Sequence, residues 1–173
     1  MLLRIVLYGD PVLETVCEPV KEDEFGKPQL RRLVSDMLET MYDAEGVGLA
    51  APQIGLLKRL TVIDCSGPDT RSEPHVLINP KIVSADGEQI GTEGCLSIPG
   101  FTGKVTRPAT VRARFRRVDG SHGEVVATGL LARAICHEND HLNGVLFLRH
   151  LGTLKRGLIK KKIRNLAKQG EWS

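Results

Sequence analysis

The chain has 173 residues, enough for one globular domain with a core of its own, so we predict a single domain over residues 1–173. No apolar stretch approaches the roughly 20 residues of a membrane span, and Asp10 and Pro11 interrupt the start before a signal-peptide core develops. With a net charge of only +3 and four widely spaced cysteines that form no disulfide framework, the composition predicts a cytoplasmic protein without a membrane partner.

The first predicted helix begins near Pro28. Apolar residues recur at the helical spacing at positions 30, 33, 34, 37, 38 and 41, and Gly46 lies just beyond the end. Two runs rich in β-branched residues, 60–65 and 75–83, predict strands.

The segment 110–118 alternates strictly between apolar residues and arginines. This pattern predicts a strand that turns Val111, Ala113 and Phe115 inward and the arginines at 112, 114 and 116 outward. Asp119-Gly120 then predicts a hairpin turn into the next strand.

Two further helices are predicted, at 129–142, ending before Asn143-Gly144, and at about 153–168. The last helix has an apolar side formed by Leu154, Leu158, Ile159, Ile163 and Leu166. The elements together predict an α+β fold with mostly antiparallel strands packed around the central helix 129–142. One helix lies toward the N-terminus of that fold and one at the C-terminus.

The five residues HENDH, from His137 to His141, match the pattern H-E-x-x-H and follow the apolar run 130–136. Histidines four apart share one face of a helix, so both can bind one metal ion, and the glutamate between them can reach a water on that ion. The alternative is two surface histidines on an ordinary helix. The apolar run argues against it, because that run indicates a buried helix. The motif needs a third protein ligand.

That ligand is missing downstream, where H-E-x-x-H proteases supply it. Phe147 occupies the position of the final histidine of one class, and no Asp or Glu lies between residues 142 and 170. Cys95 lies in TEGCLSIPG, where Gly94 lets the backbone approach closely, and it is the best candidate. One thiolate and two imidazoles leave a fourth position for water, the open arrangement of a catalytic metal.

Three motifs together make the chain similar to the peptide deformylase family. They are GVGLAAPQIG (residues 46–55), EGCLS (93–97) and HENDH (137–141), in that order, within a resemblance that spans nearly the whole chain. The resemblance implies a hydrolase of protein biosynthesis that removes the N-formyl group from the N-terminal methionine of newly made polypeptides and releases formate.

Carried over by position, the resemblance implies that Cys95, His137 and His141 bind one divalent metal ion. In the family this ion is usually ferrous iron, and zinc, nickel or cobalt can occupy the site.

The same resemblance implies the catalytic and substrate-binding residues. Glu138 would be the general base and acid, taking a proton from the metal-bound water that attacks the formyl carbon and giving one to the departing amine. Gln53, through its side-chain amide, and Leu96, through its backbone N–H, would stabilise the oxyanion. Val47 and Gly48 would pair with the extended backbone of the substrate.

The methionine side-chain pocket would be lined by Leu130, Arg133 and Ala134, one and two turns before the first histidine. We expect Arg133 to lay its methylene stem along the pocket wall and to keep its charged head in water. Some relatives have a substrate-binding arginine near position 102, which this chain lacks. The candidates for its replacement are Arg107, another basic residue, or no residue at all.

The C-terminal helix is strongly basic. From Arg149 to the end the chain holds eight Lys or Arg and a single Glu. A solvated helix face is the ordinary explanation, and contact with nucleic acid or another acidic partner is the alternative. In the family such a helix can dock on the ribosome near the peptide exit. The partners predicted are therefore N-formylmethionyl peptides and the ribosome.

Two other functions fit parts of the sequence. A different H-E-x-x-H hydrolase would cut unformylated peptides, and the missing downstream ligand argues against it. A basic, ribosome- or RNA-associated module with a structural metal would need a closed set of four ligands, and only three good ligands are visible.

Overall fold

The structure, a computed structural model, describes residues 1–173 and contains three α-helices and seven β-strands. The helices are α1 (Pro28–Asp43), α2 (Gly129–Leu142) and α3 (Thr153–Lys168). The strands are β1 (Gly48–Ala50), β2 (Leu60–Ile63), β3 (His75–Asp86), β4 (Gln89–Gly94), β5 (Thr102–Arg107), β6 (Thr110–Arg116) and β7 (His122–Thr128). The predicted α+β class is confirmed. No helix combines the length and the apolar character that a membrane crossing requires.

Five of the strands form one sheet, in the order β1-β2-β3-β6-β7, with every neighbouring pair antiparallel. β4 and β5 pair with each other in a separate antiparallel hairpin. β1 is an edge strand, so the backbone groups along its outer side are not paired with another strand. That open edge borders the site described below.

The hairpin of β6 and β7 follows the predicted alternation. Val111 and Ala113 are fully buried and Phe115 is half-buried, whereas Arg112 and Arg114 are exposed. Arg116, predicted to face outward, is only 19% exposed because it lies over the ring of Phe25 and pairs with Glu22. The turn between the strands contains Gly120, whose φ of +89° is the left-handed conformation that glycine adopts without strain. The local pattern was therefore sufficient to predict this hairpin.

α2 lies at the centre of the fold and contacts strands of both sheets. Its inner residues Ala132 and Ile135 pack with Ile63, Leu77 and Val111 of the main sheet. α1 covers another part of that sheet with its own apolar stripe, formed by Leu30, Val34, Met37 and Met41. Burial of these two apolar faces fixes both helices against the strands.

α3 buries a narrower face than its sequence predicts. Ile159 and Ile163 are buried in a cluster with Phe147, but Leu154 is 79% exposed and Leu158 is 53% exposed. The prediction that Leu154 and Leu158 belong to the packed side is wrong. Leu158 lies about 100° round the helix from Ile159, so the helix can bury the isoleucines and leave this leucine outside.

Candidate metal centre

α2 presents His137 and His141 one turn apart on the same face. Their ring centroids are 5.0 Å apart, and both side chains are almost completely buried. The helix ends at Leu142 with Asn143 as its cap, and Gly144 follows with a φ of +70° where an added Cβ would lie 2.8 Å from the backbone of Glu14. The glycine after the histidine motif thus lets the end of α2 pack directly on the N-terminal part of the chain.

Cys95 reaches the histidines from the turn that follows β4. The N–H of Ile98 donates to the carbonyl of Cys95 at 2.9 Å and closes this turn. The Cys95 Sγ lies 3.3 Å from Nε2 of His141, and one ligand atom from each of Cys95, His137 and His141 lies within 4.8 Å of the others.

Glu93, near the end of β4, orients His137 through the other nitrogen of the ring. Its Oε1 is 2.9 Å from His137 Nδ1, and Arg107 and Arg133 also pair with this buried carboxylate. Burial alone would raise the pKa of Glu93, but the hydrogen bonds from Arg107 and His137 hold that pKa well below its usual range. With Nδ1 held, Nε2 of His137 is the nitrogen available to a ligand.

The two histidines have opposite pKa shifts. Burial lowers the pKa of His137, but hydrogen bonds with Cys95 and Glu93 outweigh it and raise the pKa well above its usual value. Burial lowers the pKa of His141 well below its usual value, and its Nδ1 has no hydrogen-bond partner. A neutral His141 keeps a lone pair that can bind a metal ion.

Glu138 is buried between α2 and β1. A Cβ added to Gly48 would lie 2.3 Å from Glu138 Oε1, so only glycine leaves room for this carboxyl group. Burial raises the pKa of Glu138 to about 7, and its Oε2 has no hydrogen-bond partner. A carboxyl group in such surroundings can exchange a proton near neutral pH.

Gln53 belongs to the 3₁₀ turn Ala51–Ile54 directly after β1. Its Oε1 accepts from the N–H of Ala50 at 2.9 Å, which turns Nε2 toward the metal-site side, where it donates to Ser97 Oγ at 3.2 Å and lies 3.4 Å from Cys95 Sγ. The backbone N–H of Leu96 takes part in no hydrogen bond within the chain. Both donors therefore border the same space.

A cavity of about 510 Å³, here called the central cavity, opens between β1 and the turn after β4. Of the residues singled out in the sequence, ten line it. They are Val47, Gly48, Gln53, Cys95, Leu96, Leu130, Arg133, Ala134, His137 and Glu138. His141 is fully buried and does not line it. Residues from three separate sequence motifs thus meet around one cavity.

Two expectations about arginines are wrong. The head of Arg133 is buried rather than in water, because Nη1 pairs with Glu93 Oε2 at 2.8 Å and donates to the carbonyl of Val105 at 2.9 Å. Arg107 does not line the central cavity, because its buried guanidinium pairs with Glu93 and with Asp140. Charge pairing inside the protein decides both positions.

Glu93 and Phe101 line the central cavity and are not among the site residues predicted from the sequence. Glu93 is the first residue of the EGCLS motif, and a lone acidic residue between Thr92 and Gly94 in an otherwise uncharged stretch is a signal for a buried partner. Phe101 lines the central cavity and no pattern in the sequence pointed to it.

The residues of the site fit a divalent transition metal. One sulfur and two imidazole nitrogens are donors that such ions prefer, and the three side chains bring these atoms together. The carboxylate–histidine pair of Glu93 and His137 is the usual support for a metal-binding histidine.

The chain matches the family model of polypeptide deformylase over residues 2–157. The chain belongs to the polypeptide deformylase family. A peptide deformylase of Acidobacterium capsulatum is 49% identical over 172 residues, 99% of each chain. Members of this family are hydrolases that remove N-formyl groups from new peptides, and the chain is an enzyme of that class.

Solved deformylase structures have the same fold. A peptide deformylase from Legionella pneumophila superposes with a TM-score of 0.89 at 39% identity, covering 100% of this chain and 99% of that one. A peptide deformylase from Synechococcus elongatus, in complex with actinonin, superposes with a TM-score of 0.85 at 42% identity, covering 97% of this chain and 88% of that one. The family membership thus agrees with the fold over the whole chain.

Proposed function

We propose that the chain is a metal-dependent deformylase that hydrolyses the N-formyl group of N-terminal formylmethionine in newly made polypeptides. The observation that carries this proposal is the meeting of Cys95, His137 and His141 beside the buried Glu138, at a cavity along the open edge of β1. Such a substrate is an extended chain end in the cytoplasm, where translation takes place.

Cys95, His137 and His141 would hold one divalent ion. We propose ferrous iron as the ion in the cell, with zinc, nickel or cobalt as ions that the same donors accept. When bound, the ion would supply Lewis-acid chemistry, acidifying a water molecule and polarising the formyl carbonyl.

Glu138 would carry the proton through the reaction. Its buried Oε2 faces no competing donor, so the carboxylate is free to take a proton from the attacking water. The same oxygen would then give the proton to the departing amine, which leaves as the free N-terminus of methionine. Formate is the second product.

Gln53 and Leu96 would stabilise the oxyanion that forms at the formyl carbon. The Gln53 amide is held by the N–H of Ala50, so its orientation does not depend on the substrate. The Leu96 N–H is uncommitted within the chain. Donors fixed before the reaction stabilise a developing charge most effectively.

The substrate backbone would extend the main sheet by pairing with Gly48 at the free edge of β1 and with Val47, the residue just before this strand. Leu130, Arg133 and Ala134 of α2 would form a wall of the methionine side-chain pocket, with the buried head of Arg133 tied to Glu93. An edge strand beside the pocket explains how a flexible chain end could be held in one register.

We also propose the ribosome as a partner, through α3. The outward side of this helix carries the exposed basic residues Lys155, Lys161, Lys162, Arg164 and Lys168, next to the exposed Leu154 and Leu158. Such a surface suits an acidic partner, of which ribosomal RNA is the most abundant near a nascent chain.

The function is tested with protein purified without oxygen, by measuring bound metal and the formate released from a formyl-Met peptide. We expect activity in the metal-loaded wild type, and a loss of about 100- to 10,000-fold in Glu138→Ala, the usual range for a general base or acid. Glu88→Ala, an exposed glutamate outside the central cavity, is the matched control and should keep full activity.

The possible outcomes distinguish the proposed function from the proposed role of Glu138. No formate from the metal-loaded wild type would overturn the proposed function. Full activity in Glu138→Ala would leave the substrate standing and overturn the role of Glu138. Cleavage of unformylated peptides instead of formyl-Met peptides would favour a peptidase.

A further inference from the structure

The C-terminal end of the chain packs against a residue in the wall of the central cavity. The ring of Trp172, the second-last residue, lies 6.1 Å from the ring of Phe101 at an interplanar angle of 59°. Phe101 lines the cavity, whereas Trp172 does not. Trp172 therefore lies behind a wall residue, where it can support the wall without meeting the substrate.

Trp172 also holds residues 4–8, here called the N-terminal segment. Its Nε1–H donates to the carbonyl of Tyr8 at 2.9 Å. The N–H of Tyr8 in turn donates to the carbonyl of Ser97 at 2.8 Å, and the N–H of Val6 donates to that of Gln53 at 2.7 Å. One indole thus secures a segment that is bonded to two loops, and these loops contribute Gln53 and Leu96 to the lining of the central cavity.

The packing around Trp172 leads to the same part of the site. Trp172, Phe101 and Cys95 all pack against the cluster that contains Ile159 and Ile163 of α3. Gly103, two residues after Phe101, has no room for a Cβ because Leu151, which precedes α3, lies 2.5 Å from that position. The chain on both sides of α3 is therefore packed against the Phe101 wall.

We propose that Trp172 is a positioning residue for substrate binding. It fixes the ring of Phe101 and the N-terminal segment, and through them the shape of the central cavity. Trp172 lies beyond residue 157, where the match to the family model ends. The inference rests on the proposed function only in that the cavity binds a formyl-Met peptide.

A residue that shapes the wall but touches no reacting atom changes binding more than chemistry. We therefore expect Trp172→Ala to raise KM for a formyl-Met tripeptide by about 2- to 10-fold, the range that loss of one aromatic pair allows. We expect kcat to stay within about twofold of wild type. Trp172→Phe, which keeps a ring against Phe101, should recover most of the KM, and Glu171→Ala, the exposed neighbour, should match wild type.

Trp172 is the only tryptophan in the chain, so its emission reports on this contact in the unmodified protein. Titration of the wild type with the deformylated product, Met-Ala-Ser, should change the emission saturably, over the concentrations at which this peptide inhibits the enzyme. This measurement does not depend on whether Trp172→Ala folds.

An emission that stays constant at saturating peptide would overturn the proposal, and so would an unchanged KM in folded Trp172→Ala. A fall in kcat with constant KM would also overturn it, since that result assigns Trp172 to the chemical step. The formate assay and the emission titration test different claims. If the wild type releases no formate, the proposed function fails. The emission titration still reports whether the peptide binds.

Discussion

At the scale of single residues, Gly48 determines whether Glu138 can occupy its place. The position belongs to β1, where any amino acid could adopt the extended backbone, so the requirement for glycine comes from space. The neighbour that fills this space is the carboxyl group of Glu138. Glycine at this position is therefore a requirement of the proposed catalytic geometry.

We predict that Gly48→Ala lowers kcat/KM by about 100-fold, because the added methyl group must displace the Glu138 carboxyl group and a displacement of about 1 Å can have that effect. Steady-state release of formate measures the loss. Gly157→Ala is the matched control, since its Cβ would meet no atom within 4 Å. An equal loss in both variants would show that the Gly48 result is not due to Glu138.

At the scale of secondary-structure elements, Tyr42 and Asp64 join α1 to the loop after β2. The Tyr42 hydroxyl donates to Asp64 Oδ2 at 2.6 Å, and Ser66 donates to Oδ1 from its N–H at 2.9 Å. Burial raises the pKa of Asp64, but the hydrogen bonds from Ser66 and Tyr42 outweigh burial, so the pKa lies below its ordinary value. Burial and Asp64 together raise the pKa of Tyr42 to about 12.

A carboxyl group with a lowered pKa in the folded state stabilises the fold above the unfolded-state pKa, about 4 for aspartate. This contribution disappears as the pH falls from there through the lower folded-state pKa. We predict that the free energy of unfolding, measured in urea, falls more steeply below about pH 4 in the wild type than in Asp64→Asn. Asp23→Asn, at an exposed position, should follow the wild type. Parallel curves for the wild type and Asp64→Asn would contradict the prediction.

Helices and strands whose own residues show a periodic apolar pattern could be predicted from the sequence. The bounds predicted for α2 and α3 are those observed, and the β6–β7 hairpin follows from alternation and a glycine turn. β4 and β5 were not predicted individually, because Gln89–Gly94 and Thr102–Arg107 have few apolar residues and are strands only through pairing with each other. β3 continues to Asp86, three residues past its predicted end, because β6 pairs with it there.

The candidate site also has features that the sequence predicts and features that depend on the fold. The sequence pointed to Cys95 and the two histidines because residue type and spacing restrict metal ligands. It gave the wrong surroundings for Arg133, since Glu93 lies 40 residues away in the chain and only the fold brings the two charges together. The exposure of Leu154 likewise depends on which face of α3 meets the core.

At the scale of the whole molecule, the net charge of +3 divides into +7 on α3 and −4 on the rest of the chain, and α3 has two unlike sides. One side buries Ile159 and Ile163 in the cluster that also supports Cys95 and Phe101. The other side presents lysines and arginines to solvent. A variant that deletes α3 would therefore disturb the wall of the central cavity together with the basic surface, and exposed charges are the better target.

We predict that reversing two of these charges, Lys161→Glu with Lys162→Glu, weakens co-sedimentation with ribosomes at low salt and leaves formate release from a short formyl-Met peptide unchanged. Both lysines are exposed, so the buried side of α3 is preserved. Arg31→Glu with Arg32→Glu, two exposed reversals on α1, changes the net charge equally and should leave ribosome binding near the wild-type level. The difference between the two double variants should shrink as salt rises, because screening weakens contacts between exposed charges. Equal binding by both double variants would remove α3 as the docking surface and leave net charge as the cause of any association.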